Sequence, residues 1–142
     1  MHSSHALQLI EKLNRKYEKA QTLNIFQHAI QALTLLEAQV RTGGYIQLIQ
    51  NGYGEYIFEN AWPEAYRYMQ ATKLADNLNQ AKEIYMNNKE ALEKELSLEE
   101  FTKLYDAFPQ FDPLHTRYIN IIEEELETIK NFIHLHPEYF KI

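Results

Sequence analysis

The sequence predicts an all-α protein: one compact helical bundle of about six to seven helices, with a short glycine-cornered helix in its middle. Three observations favour this fold for the single domain formed by residues 1–142. Apolar residues recur at three- and four-residue spacing along most of the chain. No segment sustains the strict alternation of a half-buried strand, and EYIF at residues 55–58 is only a weak strand candidate. All four glycines lie within residues 43–54, so the rest of the chain lacks this helix breaker.

The first half of the chain carries two apolar stripes before the glycines. The first stripe contains Leu9, Ile10, Leu13 and Tyr17. The second runs from Phe26 to Val40 and is expected to end at Gly43, because helix C-termini favour residues that adopt a left-handed conformation. After the glycines, Asn60 is the expected cap of a helix that contains Pro63 in its first turn.

The second half of the sequence contains patterns that predict further helices and the residues at which they start. An apolar pattern runs from Leu74 through Leu92. The sequence SLEE, residues 97–100, has the spacing of a capping box. Asp112 and Pro113 are the expected cap and first residue of the last helix. That helix is expected to stop before Pro137 and to bury a stripe made of Ile119, Ile122, Leu126, Ile129 and Ile133.

The glycine-rich segment is interpreted as two successive helix breaks. Gly43 and Gly44 end one helix, and Asn51 with Gly52 supplies a pair that tolerates positive φ. The intervening YIQLIQ is long enough for about two helical turns. The competing interpretation, a phosphate-binding loop, is disfavoured because neither glycine pair matches a dinucleotide or P-loop motif.

Aromatic residues are concentrated immediately after the first glycine pair. Residues 45–68 contain Tyr45, Tyr53, Tyr56, Phe58, Trp62, Tyr66 and Tyr68. These side chains could fill the core, or they could line a groove that grips a partner, since tyrosine and tryptophan anchor interfaces. A small-ligand pocket here would place Gln47 and Asn51 beside Trp62.

Composition and charge exclude several classes of function. The chain has no cysteine, so disulfides and thiolate metal sites are excluded. No apolar run is long enough for a membrane span or a secretory signal, and we expect a soluble cytoplasmic protein. Residues 83–142 contain six Lys/Arg and thirteen Asp/Glu, whereas residues 1–82 contain eight and seven. This acidic second part disfavours nucleic acid and anionic membranes as partners.

Residues around the glycine pair also resemble a family signature. In LEAQVRTGGYIQLIQN, Val40, Gly43, Gly44, Gln47 and Asn51 fit the pattern E-V-x-N-G-G-F-x-Q followed by Asn. This pattern is typical of a family of small all-helical bacterial proteins related to a DNA mimic. Thr42 and Tyr45 depart from it, since the family has Asn and Phe at these positions. The C-terminal FDPLHTRYINIIEEELETIKNFIHLHPEYF is similar to the closing helix of the family, so the resemblance covers roughly residues 25–142.

The resemblance implies interaction rather than catalysis, with no cofactor and no catalytic residues. It implies that surface carboxylates imitate DNA phosphates and bind a basic partner, while Gly43, Gly44, Gln47 and Asn51 hold the scaffold. The best candidates for the acidic face are Glu123, Glu124, Glu127, Glu99 and Glu100. Glu123 and Glu127 lie one helical turn apart, about 6 Å along the axis, which approximates the phosphate spacing of one strand. The alternative for these glutamates is the solvated face of an amphipathic helix.

Other functions remain open at this stage. The basic partner could be a DNA-binding protein, or a toxin that an immunity-type protein neutralises. An enzyme or small-ligand binder could use the aromatic segment from Tyr45 to Tyr68, and a homodimer could join these aromatics across a symmetry axis. No metal site is expected, because His134 and His136 lie on different helix faces and His115 is distant in sequence.

Overall fold

The computed structural model describes residues 4–20 and 22–141, and α-helices dominate these residues. They are α1 (Ser4–Tyr17), α2 (Ile25–Leu48), α3 (Gly54–Phe58), α4 (Trp62–Tyr68), α5 (Thr72–Asn87), α6 (Lys89–Glu93), α7 (Leu98–Ala107) and α8 (Phe111–Leu135). A π-helical turn, Ile49–Tyr53, joins α2 to α3, and a 3-10 turn, Pro137–Tyr139, follows α8. The all-α prediction is confirmed, since the structure is 83% helical and strands are absent from the described residues. EYIF lies in α3 and not in a strand.

The glycine segment turns two corners, as predicted. The first corner lies at Gly44 rather than Gly43: Gly44 has φ +74° and ψ −174°, and helical hydrogen bonding resumes directly after it. The second corner lies at Gly52, with φ +92°, inside the π-helical turn. Gly44 also packs closely against α8, because a Cβ built there would lie 3.3 Å from His115 Nδ1. The predicted short helix therefore occupies the residues between two left-handed glycines.

The predicted helix starts are partly corrected by the structure. The capping box is confirmed, since Ser97 Oγ accepts from the backbone N–H of Glu100 at 3.2 Å and Glu100 Oε1 accepts from that of Ser97 at 3.0 Å. Asn60 is not a cap: the N-cap of α4 is Ala61, and the Asn60 amide donates to the carbonyl of Tyr56. Likewise α8 begins one residue before Asp112, which therefore lies in the first turn.

Helix α8 is the longest element, and it packs against α1, α2 and α5. Its buried stripe contains Ile122, Leu126, Ile129 and Ile133, as predicted. The prediction for Ile119 is wrong, because this residue remains 39% exposed. The fully buried residue is Tyr118, four positions before Ile122, so the stripe continues along the i−4 direction at this end of the helix.

Large tyrosines fill the core, and their hydroxyl groups are satisfied. Tyr45 donates to Asn77 Oδ1 at 2.6 Å, and Tyr66 donates to the carbonyl of Ala29 at 2.7 Å. Tyr118 donates to Glu37 Oε2 at 2.5 Å. Burial raises the pKa of Tyr45, Tyr66 and Tyr118 well above the ordinary value for tyrosine. These residues therefore join the helices by a ring packed in the core and a hydrogen bond to a neighbouring element.

The segment after α8 folds back onto the corner between α1 and α2. Tyr17 donates to the carbonyl of Phe140 at 3.1 Å, and the Asn24 amide donates to the carbonyl of Tyr139 at 2.8 Å. Asn24 also caps α2 in a capping box with Gln27. Both ends of the described chain are therefore joined at this corner. In the described range, no helix is long and apolar enough to cross a bilayer.

Candidate interaction surface

The residues of the glycine signature bond to one another along α2. Gln47 Nε2 donates to Gln39 Oε1 at 3.2 Å and to Thr42 Oγ1 at 3.0 Å. Asn51 Nδ2 donates to the same Gln39 oxygen at 2.7 Å. The carbonyl of Gly43 accepts from the Tyr105 hydroxyl on α7 at 3.0 Å. Two amides thus bridge the corner at Gly44, and this geometry suits a scaffold role.

The aromatic segment mainly packs inward. Trp62 is only 4% exposed, its ring stacks on His28 at 5.8 Å, and its Nε1–H donates to the carbonyl of Tyr56. Tyr45, Phe58 and Tyr66 are fully buried, whereas Tyr53 and Tyr68 are exposed. Gln47 and Asn51 bond to Gln39 rather than to groups around Trp62. This arrangement favours a filled core over a ligand pocket.

The three candidate carboxylates on α8 all face cations. Glu123 Oε2 lies 3.1 Å from Arg41 Nη2, and Glu124 Oε1 lies 2.9 Å from Lys73 Nζ. Glu127 Oε1 lies 3.0 Å from Lys130 Nζ. Because each carboxylate has a cation beside it, the net charge of this side of α8 is smaller than the sequence EEELE, residues 123–127, implies.

The two candidates on α7 also have local partners. Glu99 Oε1 lies 3.6 Å from Lys103 Nζ, with both side chains well exposed. Glu100 accepts the backbone N–H of Ser97, and this hydrogen bond lowers the pKa of its carboxyl group. A cation of a partner can therefore compete with Lys103 for the Glu99 carboxylate, whereas the Glu100 carboxylate stabilises the start of α7.

Two further acids lie inside the protein. The Glu37 side chain is 5% exposed and bonds to Arg41 at 2.7 Å as well as to Tyr118. Glu125, inside EEELE, is 4% exposed, and its Oε2 accepts from the backbone N–H of Leu74 at 3.1 Å. Both carboxylates serve packing between helices. They add to the formal negative charge without adding to an acidic surface.

An acidic surface missed by the sequence reasoning lies on α3, α6 and the residues beside them. We name it the acidic end: it comprises Glu55, Glu59 and Glu93, which act on the same lysine, and the exposed Glu90 and Glu95, which lie on α6 and shortly after it. Its charges converge on Lys89, whose pKa is raised first by the hydrogen bond to Glu59 and further by the charges of Glu59, Glu93 and Glu55. In the described part of the chain, Glu55, Glu90 and Glu95 have no cation within salt-bridge distance.

Tyr85 lies beneath the acidic end. Its hydroxyl donates to Glu93 Oε2 at 2.5 Å, and its ring stacks on Phe58 at 4.8 Å. Burial raises the pKa of Tyr85, and the hydrogen bond to Glu93 and the charges of Glu93, Glu59 and Glu55 raise it further. The charges of the same three carboxylates therefore raise the pKa of both Tyr85 and Lys89. Separate ion pairs, each with one acid and one cation, would not produce this effect. A sequence signal existed, since five of the seven residues from Lys89 to Glu95 are charged.

No group of three or more His, Asp or Glu suited to a metal ion occurs in residues 4–20 and 22–141. His134 lies in the last turn of α8 and His136 beyond its end, where it contacts Glu138 at 3.5 Å.

Comparison with known proteins identifies the family of this chain. The model of the DMP19-like protein family matches residues 21–136. The chain belongs to the DMP19-like protein family. A relative from Neisseria meningitidis serogroup B, named DNA mimic protein DMP19, is 30% identical over 124 residues, which cover 87% of this chain and 75% of the relative. The family resemblance predicted from the glycine signature is thereby confirmed, and the DMP19-like match leaves out α1.

Proposed function

We propose that this protein acts without catalysis, by occupying the basic surface with which a DNA-binding protein contacts DNA. The proposal is supported by membership of the DMP19-like family and by the similarity to a protein named as a DNA mimic. The structural observation that supports it is the acidic end, where Glu59 Oε2 lies 2.7 Å from Lys89 Nζ and the charges of Glu93 and Glu55 also raise the pKa of this lysine.

Carboxylates can replace phosphates in such a contact because both present anionic oxygens to lysine and arginine. Duplex DNA carries one charge per ~1.7 Å of axis, a density that a mixed protein surface does not reach. The acidic end contains five carboxylates with Lys89 and Lys94 among them. Electrostatic attraction therefore speeds the encounter with the partner and makes binding depend on salt. Much of the specificity must come from the complementary shapes of the two surfaces.

The α8 flank is the second location for the contact, and it includes Glu123, Glu124 and Glu127, the residues expected from the sequence. Its ion pairs do not prevent binding, since an exposed pair contributes only ~0–1 kcal/mol and a partner's arginine can replace its lysine. Glu124 is the most accessible of the three, because its side chain is 70% exposed. Glu99 offers a similar exposed carboxylate on α7, next to the capping residue Glu100.

A competition experiment tests the proposal and separates the two locations. Proteins from the native cell extract are loaded on DNA–cellulose and eluted with increasing concentrations of this protein. Two triple variants are compared with the wild type: Glu55→Lys, Glu90→Lys and Glu95→Lys at the acidic end, and Glu123→Lys, Glu124→Lys and Glu127→Lys on α8. Each variant takes the formal charge from −6 to neutral, so overall charge is matched.

We expect the wild type and the α8 variant to release at least one DNA-binding protein, and the acidic-end variant to release none. Release should weaken as salt rises, because screening shortens the reach of surface charges. If the wild type releases nothing, the proposal is wrong. Loss of release in the α8 variant alone would move the contact to Glu123, Glu124 and Glu127. If the wild type, immobilised in a parallel experiment, instead captures a basic protein that does not bind DNA–cellulose, that result would favour toxin neutralisation.

A further inference from the structure

The chain is held firmly to the bundle on either side of α7, at Lys94 and at Phe111. Before α7, the Gln50 amide donates to the carbonyl of Lys94 at 3.0 Å. After α7, Phe111 is only 3% exposed, and its ring centroid lies 6.2 Å from that of the buried Tyr45. We name the residues between these two points, 95–110, the α7 segment.

The α7 segment itself buries very little apolar surface. Leu104 is its only buried residue, and the residues that are half-buried are Leu96, Phe101, Tyr105 and Phe108. All other residues of the segment are exposed. Helix α1, with 14 residues, buries four apolar side chains: Ala6, Ile10, Leu13 and Tyr17. Because stabilisation grows with the apolar area removed from water, α7 is attached much less strongly than α1.

Polar contacts between the α7 segment and the other elements are also few. The Tyr105 hydroxyl donates to the carbonyl of Gly43 at 3.0 Å. Among the described residues, no other side chain of the segment bonds to a different element. The capping box of α7 and the ion pair between Lys103 and Glu99 both stay within the segment. One hydroxyl group therefore provides the polar attachment of α7 to the corner of α2.

The contact beneath α7 is imperfectly packed. A cavity of about 30 Å³ lies between Tyr105, the corner at Gly44 and the first turns of α8. His115 lies in the wall of this cavity, and its Nε2 is buried without a hydrogen-bond partner among the described residues. A cavity and an unpaired polar atom both destabilise the attached state. Both penalties end when α7 moves away and water reaches His115.

We propose that the α7 segment detaches as a unit, hinged at Lys94 and Phe111, while the other helices stay folded, and that this opening uncovers Gly44 and His115. The detached residues gain conformational entropy and lose little buried apolar surface. They also lose their helical hydrogen bonds, because a helix of ten residues is marginal in water without tertiary contacts. The inference does not depend on the proposed function.

Hydrogen exchange of the native protein tests the inference. The whole chain is labelled at several urea concentrations below the unfolding transition, and exchange is measured by mass spectrometry of its peptides. Relative to their intrinsic rates, we expect the amides of α7 to exchange at least ~10-fold faster than those of α8. Exchange of α7 should also depend little on urea, because its opening exposes little surface, whereas global unfolding and the exchange of α8 depend on urea strongly.

Two conservative variants separate local opening from global unfolding. Tyr105→Phe removes the hydrogen bond to Gly43, and we expect it to raise the exchange of α7 by about 10-fold. Ile129→Val is the control, since Ile129 is fully buried on α8, outside the segment. It destabilises the attached and the detached state equally, so the exchange of α8 should rise by about 5-fold while that of α7 stays unchanged.

Three results would contradict the inference. If α7 and α8 exchange at the same relative rate and with the same dependence on urea, α7 does not open separately. If Ile129→Val raises the exchange of α7 as much as that of α8, α7 opens only when the whole protein unfolds. If Tyr105→Phe leaves the exchange of α7 unchanged, the contact with Gly43 does not hold the segment closed.

Discussion

Glu125 on α8 accepts a hydrogen bond from the backbone N–H of Leu74, the third residue of α5, at 3.1 Å. The residue before α5, Ala71, has no side chain that could cap the helix. A carboxylate from a helix 51 residues away therefore satisfies a backbone donor at the start of α5, where negative charge also interacts favourably with the helix dipole.

Removing this carboxylate should destabilise the protein markedly. Glu125→Ala leaves the Leu74 N–H buried without a partner, and we expect the free energy of unfolding to fall by about 1–3 kcal/mol. Glu124→Ala, on the same helix but exposed and paired only with Lys73, should cost less than about 1 kcal/mol. Urea unfolding of both variants measures the difference. Equal costs would show that the bond to Leu74 contributes no special stability.

Stability should fall in alkaline solution because of the buried tyrosines. The pKa values of Tyr45, Tyr66 and Tyr118 are raised by burial, so the folded state retains protons that the unfolded state releases. Their contribution is complete below the unfolded pKa of about 10 and is lost as pH rises above it, at up to about 1.4 kcal/mol per pH unit for each residue.

The measurement is the free energy of unfolding between pH 8 and 11. Tyr118→Phe removes one of these groups, so its stability should decline less steeply than that of the wild type over this range. Tyr53→Phe is the control, since Tyr53 is exposed and its replacement should leave the slope unchanged. A stability that stays constant through pH 11 would contradict the expectation.

The two left-handed glycines should differ in their tolerance of a side chain. Gly44, with φ +74° and ψ −174°, has a conformation that is essentially restricted to glycine, and a Cβ there would also approach the His115 ring. We expect Gly44→Ala to cost about 2–3 kcal/mol. Gly52 has φ +92° and ψ 13°, and a Cβ at this position would meet no atom within 4 Å, so Gly52→Ala should cost only about 1–2 kcal/mol. Thermal unfolding ranks the two variants, and the reverse order would refute this account.

Gln70 offers a stabilising substitution. It follows α4 with φ +75°, and the Ala71 N–H donates to the carbonyl of Tyr66 at 2.9 Å, as in a Schellman motif. Glycine adopts this conformation without a steric penalty, so Gln70→Gly should raise the free energy of unfolding by about 0.5–1 kcal/mol. Gln31→Gly, in the interior of α2, should lower it by a similar amount. Chemical denaturation checks both signs.

Periodicity and glycine placement were sufficient to predict the helices and the two corners, because those signals are local. The two ion pairs that α8 makes with other helices were not predictable, since Lys73 and Arg41 lie 51 and 82 residues from Glu124 and Glu123. Counting charges along the sequence therefore does not show which carboxylates of α8 have a cation from another helix beside them. The burial of Glu125 is easier to predict from the sequence, because this residue lies three positions after Ile122 on the buried stripe of α8.

The return of the C-terminal segment to the corner of α1 and α2 determines which fragments can be studied. The range that matches the family model, residues 21–136, begins after α1 and ends before Tyr139 and Phe140. Trimming the chain to that range would remove the hydrogen bond between Tyr17 and the carbonyl of Phe140. It would also expose the apolar faces of α2 and α8 that Ile10 and Leu13 cover. A minimal version for biophysical work should therefore retain both ends, even though family similarity alone would mark them as dispensable.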